Sequence, residues 1–120
     1  MNTVEYIRDQ LPRGELLCQL SEEASELSKA ALKLRRAEDG TNPTPVSVEE
    51  AEENLLEEIG DILNALEVLD IDFFGVYSDG ARLKKMRRWS ERLEEAAEKK
   101  ELAQLEADLE EDPLLDPYPF

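Results

Sequence analysis

Apolar residues recur along this chain at steps of three and four, the mark of helices with one apolar face. Leu16, Leu20, Ala24, Leu27, Ala31 and Leu34 form one such series, within a helical pattern running from Glu15 to about Glu38. A second series, Ala51, Leu55, Ile59, Ile62, Leu66 and Leu69, predicts a helix that begins at a capping box, Ser47-Val48-Glu49-Glu50. Between them Gly40 is placed to end the first rod in a left-handed conformation, and Pro43 and Pro45 forbid its resumption. A short helix, VEYIRDQL, with Thr3 as its cap, precedes Pro12 and Gly14. A last helix starts at Ser78 or Asp79 and runs to roughly Glu110, with a sparse late series Leu93, Leu102, Leu105 and Leu109. Phe73, Phe74 and Tyr77 cluster ahead of it and are expected as core or oligomer contacts. No segment alternates as a strand does, so the pattern predicts an all-α fold. It is organised as one domain over residues 1–112 with a proline-rich tail over 113–120.

Composition agrees with long helices and adds a strong charge. Thirty acids against 14 bases give a net charge of −16 over 120 residues. Such a chain repels nucleic acid polymers and anionic membranes, and suits cations or substrates that arrive with them. A chain of this size builds only a modest core, which argues for a bundle completed by self-association into a homodimer or homotetramer. The late leucines and the tail are the natural contacts for it. No apolar run is long enough for a membrane span, and MNTVEYIRDQ does not read as a signal peptide, so a cytoplasmic location is expected. There is no histidine, which removes Ser–His–Asp and Cys–His catalysis and histidine metal sites. Cys18 has no partner in the chain and reads as a small buried apolar residue.

The acids are not all a solvated face. On a helical wheel, Glu23 and Glu26 border the Leu16–Leu34 stripe and Glu22 lies nearly opposite it. Glu58 and Asp61, again three apart, take a similar place beside the second stripe. If the two helices pack on their stripes, two acid pairs face each other across the seam. Four carboxylates that close disfavour one another's ionisation unless a divalent cation sits among them. Oxygen-only ligands suit Mg²⁺, or Mn²⁺, rather than Zn²⁺. Chance pairs of acids on a glutamate-rich helix are the plain alternative.

The same residues carry a resemblance. EEASE, with Glu22, Glu23 and Glu26, followed by EIGD, with Glu58 and Asp61, resembles the EExxE…ExxD signature of MazG-like proteins in the all-α nucleoside triphosphate pyrophosphohydrolases. LLCQLSEEASELSKAALKL and NLLEEIGDILNALEVL look like the family's two motif helices, and RLKKMRRWSERL like its basic third segment. The likeness covers roughly residues 11 to 95, with a longer spacing between the motifs than is common in the family.

The resemblance implies an antiparallel helical bundle in which Glu23, Glu26, Glu58 and Asp61 hold Mg²⁺. Glu22 would stand behind them or orient the attacking water. It implies hydrolysis of a (d)NTP between the α and β phosphates, giving a (d)NMP and pyrophosphate in nucleotide-pool cleaning. Asn64 is a candidate for the sugar or base, and Lys84, Lys85, Arg87 and Arg88 for phosphate oxygens. Trp89 is expected to pack within the bundle, or to stack on a base. Two alternatives stand beside this: a non-enzymatic acidic helical interaction module of the DNA-mimic kind, and a phosphoribosyl-ATP pyrophosphohydrolase. The basic run from Arg82 to Arg92 argues against the first, because it breaks a uniformly negative surface.

Overall fold

The computed structural model describes residues 1–40, 45–71 and 79–111. Four α-helices account for nearly all of them: α1 (Thr3–Gln10), α2 (Arg13–Asp39), α3 (Val48–Val68) and α4 (Asp79–Glu111), with no strand among the described residues. The fold is therefore all-α. Phe73, Phe74, Tyr77, Ser78, Pro43 and the tail lie outside the described residues. The chain divides into two units, Met1–Phe73 and Phe74–Phe120.

Local chemistry sets the helix ends in the first unit. The cap of α1 is Asn2, one residue earlier than the expected Thr3. Its Oδ1 accepts from the Glu5 N–H at 2.9 Å, and the Glu5 carboxylate accepts from the Asn2 N–H at 3.3 Å. A glutamate three residues on makes this reciprocal box available to Asn2, which Thr3 lacks. Ser47 caps α3 as expected, its Oγ accepting from the Glu50 N–H at 3.1 Å. Gly40 ends α2 at φ 66°, the left-handed turn foreseen for it. At the end of α3, Asp70 takes the same conformation at φ 59°. The Ile71 N–H reaches the Leu66 carbonyl and the Asp70 N–H the Glu67 carbonyl, the bond pair of a Schellman stop with aspartate where glycine is usual.

The α2–α3 pair is an antiparallel hairpin, and α1 lies against α3. Its seam differs from the expected stripes in an informative way. On α2 the least exposed positions include Leu16, Leu20, Glu23, Leu27, Ala30 and Leu34; on α3 and its cap they include Ala51, Leu55, Glu58, Ile62, Ala65 and Leu69. Both sets step four, three, four, three, the period of 3.5 that keeps one helix face on a supercoiled partner. Ala24, Ala31 and Ile59, assigned to the stripes by hydropathy, are exposed instead, Ile59 at 40%, and so is Cys18, expected to be buried but two positions past the seam residue Leu16. Glu23 and Glu58 hold seam positions because the 3.5-residue period puts them there whatever their polarity.

The buried apolar residues among those described are Leu16, Ala30, Ala51 and Leu69. Arg8 ties α1 to the end of α3, donating from Nε to the Val68 carbonyl at 2.9 Å and from Nη2 to the Glu67 carbonyl at 3.1 Å. Arg13 reaches the Leu69 carbonyl at 3.5 Å. Cations suit the C-terminus of a helix, where carbonyls lack helical partners and the dipole is negative.

In the second unit α4 forms a 33-residue rod about 50 Å long. Every described side chain after Ala81 is exposed, Trp89 included at 58%. No helix among the described residues is long and apolar enough to cross a membrane.

The two left-handed stops give opposite expectations. Replacing Gly40 by Ala should lower stability by about 1 kcal/mol, since a Cβ is strained at that φ. Asp70→Gly should raise it by up to about 1 kcal/mol, because glycine takes the same conformation without that strain. Urea unfolding midpoints of the two variants, compared with wild type, check both signs.

Candidate metal centre

The acidic centre is built at the middle of the α2–α3 seam. Glu23 and Glu58 are half-buried and Asp61 is exposed, and one carboxylate oxygen of each lies within 4.8 Å of the others. Glu23 is oriented from its own helix, with Gln19 Nε2 donating to its Oε1 at 2.8 Å one turn earlier. Glu58 Oε2 is sealed from solvent and has no hydrogen-bond partner among the described residues. An orphaned, acid-surrounded oxygen is costly unless something positive completes it.

Electrostatics tell the same story. The Glu58 carboxyl is pushed above the ordinary glutamate value, first by burial and then by the charges of Asp61, Glu23 and Glu26, with a hydrogen bond to Glu23 favouring its protonated form. Each cause is one that a divalent cation would reverse: it would replace lost hydration and neutralise the neighbours. The donor set of carboxylate oxygens fits Mg²⁺ or Mn²⁺.

The other expected site residues fall at graded distances. Glu26 contributes charge to Glu58 but stands outside the close triad, turned toward Lys29 at 3.5 Å in an exposed pair. Glu22 is exposed on α2 and outside the triad. Asn64 joins the centre: with Gln19, Glu23 and Asp61 it lines the polar end of a groove of about 290 Å³. The groove's other walls are apolar, formed by Leu16 of α2, Ala65 and Val68 of α3, and Ile7 of α1 with Leu11 just beyond it. Lys84, Lys85, Arg87 and Arg88 belong to α4 in the second unit, where Lys85, Arg88 and Arg92 line one strip of the rod.

Three contributors were not anticipated from the sequence. Gln19 had a signal, a carboxamide four residues before Glu23 and so on the same helix face. Ile7 and Leu11 had none, because their place depends on Arg8 bonding to carbonyls some sixty residues away.

No family model, curated protein or solved structure matches the chain, so its function is argued from these residues.

A raised carboxyl pKa fixes the sign of a pH effect. The folded state holds its proton at Glu58 to higher pH than the unfolded state, so this group's contribution to stability falls as pH rises from the ordinary glutamate range through the raised value. Glu58→Gln, which stays neutral, should be more stable than wild type at pH 7 to 8, and the gap should close toward about pH 4. Thermal melts of both proteins across that range, in EDTA, give the difference directly.

Proposed function

We propose that this protein is a Mg²⁺-dependent nucleoside triphosphate pyrophosphohydrolase with a MazG-like helical bundle. The observation that carries the reading is the meeting of Glu23, Glu58 and Asp61 across the α2–α3 seam, with a sealed Glu58 oxygen, at the polar end of a groove. Carboxylates that meet across two helices could share one cation, and that is what this reading gives them to do.

In this reading Glu23, Glu58 and Asp61 would hold the ion, with Glu26 released from Lys29 to join them. The bound ion would neutralise the triphosphate and make water a better nucleophile at neutral pH. Gln19 fixes the Glu23 carboxylate through the 2.8 Å hydrogen bond, so the ligand arrives preset. Glu22 stands one turn from Glu26, where it would hold or accept a proton from the attacking water. Asn64 offers a donor and an acceptor to the sugar or base, and the apolar groove walls take the nucleoside's flat face. Without an ion, the centre's own negative charge repels a triphosphate, so phosphate binding and cation binding go together. The products would be a nucleoside monophosphate and pyrophosphate, and the role the removal of aberrant or surplus nucleotides. Self-association belongs to the same reading, since so little of the hairpin's apolar surface is buried within one chain.

Pyrophosphate release from a panel of NTPs and dNTPs, with Mg²⁺ and with EDTA, tests the activity. Release should require the metal. Glu58→Ala should lower it by more than the 10–100-fold typical of losing a residue that merely supports a ligand. No release from any substrate by the folded protein would refute the proposal. Binding gives a separate check: Mg²⁺ or Mn²⁺ should raise the melting temperature of wild type, and Glu58→Gln should blunt that rise.

A further inference from the structure

The groove at the acidic centre does not end at its apolar walls. Leu11, Leu16 and Val68 also line a second cavity, a cleft of about 610 Å³ around the α1–α2 elbow and the C-terminus of α3. Arg8 and Arg13 line this cleft. The helix directions fix the order of the parts. From Glu23 back to Arg13 is ten residues of α2, about 15 Å, and from Asp61 on to Leu69 is eight residues of α3 and its cap, about 12 Å. The two helices are antiparallel, so both steps lead to the same end of the hairpin. Carboxylates, aliphatic walls and guanidinium groups therefore follow one another along a single path within the first unit.

The two arginines are held but not neutralised. The chain has 30 acids, yet among the described residues neither Arg8 nor Arg13 pairs with a carboxylate. Their contacts are with backbone instead. Arg8 donates to the carbonyls of Val68 and Glu67, and Arg13 donates from Nη1 to that of Leu69 at 3.5 Å. These bonds fix where each guanidinium lies and leave at least one nitrogen of each with its N–H groups unused. Asp9 and Asp70 line the cleft too, and neither reaches a guanidinium. A free anion gains little among charges so nearly balanced. An anionic group tethered to a molecule already bound next door gains more, because its loss of freedom has been met at the first site.

We propose that the site takes a nucleoside triphosphate whose base carries an acidic substituent, a carboxylate or a phosphate, held by Arg13 and Arg8. The inference rests on the catalytic reading, which puts the triphosphate at the acids and the nucleoside along the apolar walls. In that pose the sugar lies toward Asn64 at the polar end, and the far edge of the base points at the arginines. A guanidinium fork matches carboxylate and phosphate alike through paired N–H bonds. An unmodified base leaves both arginines facing water. The cleft thus favours nucleotides altered on the base over ordinary ones.

Binding is measured apart from hydrolysis. α,β-Methylene analogues, which are not cleaved between those phosphates, are titrated calorimetrically into the wild-type chain in Mg²⁺. Adenosine and cytidine analogues are compared with carboxymethyl, phosphonomethyl or ethyl groups on the exocyclic amine. On at least one base an acidic analogue should bind about tenfold or more tighter than its ethyl counterpart, the effect of one charge-assisted hydrogen bond. The carboxymethyl and phosphonomethyl arms tell which anion the cleft prefers. Arg13→Gln should bring the acidic analogue to the affinity of the ethyl one, with helical circular dichroism retained; Arg13 is chosen because its one long bond ties it least to the fold. Equal affinity for acidic and ethyl analogues in wild type overturns the proposal. So does a preference that survives Arg13→Gln, or no binding of any analogue. Pyrophosphate release from plain nucleotides with no acidic preference sinks this inference alone. An acidic preference in a chain that cleaves nothing sinks the catalytic reading and keeps the binding site.

Discussion

Two glutamates occupy positions that a helical hairpin would ordinarily fill with leucine. Glu23 and Glu58 face each other at mid-seam, and the rest of the first unit is arranged around that conflict. A buried unpaired carboxylate costs more than the leucine contacts it displaces would have contributed. The hairpin answers in part with Gln19 on Glu23 and in part by holding the Glu58 carboxyl above the ordinary glutamate value, so that it gives up its proton less readily. The seam is thus a weaker core than its length suggests, and a more chemically capable one.

That trade separates two tasks by side. Toward α1, the acids open into a groove with an amide at its polar end and aliphatic walls. On the far side, the same two helices expose leucine, isoleucine and alanine. A helix that faces a partner at 3.5-residue intervals has room for one further face of each character, and α2 and α3 use both.

Much of this was legible in the sequence. The helices, the Gly40 stop and the Ser47 cap follow from local rules that depend on residues a few positions apart. The acid pairs were legible for the same reason, since i, i+3 spacing survives any modest error in helix phase. The core was less so. Reading apolar residues as the stripe matched most seam positions, Leu16, Leu20, Leu27 and Leu34 among them, but slipped by one elsewhere, taking Ala24 for Glu23, Ala31 for Ala30 and Ile59 for Glu58. Hydropathy cannot assign a glutamate to a seam; only the period imposed by the partner helix does. The α1 wall was not legible at all, because nothing near Arg8 announces that its guanidinium belongs on the carbonyls of Glu67 and Val68.

That clasp has a consequence for how the groove lives in time. α1 is eight residues long with no buried side chain, and Arg8 spans from it to residues made much later. On an emerging chain it has nothing to hold until α3 is complete, so the groove is the last part of the first unit to acquire its wall. In the finished protein the same few bonds make α1 the cheapest element to detach. Its amides would exchange with solvent ahead of those in the seam, and the groove would spend part of its time as an open shelf.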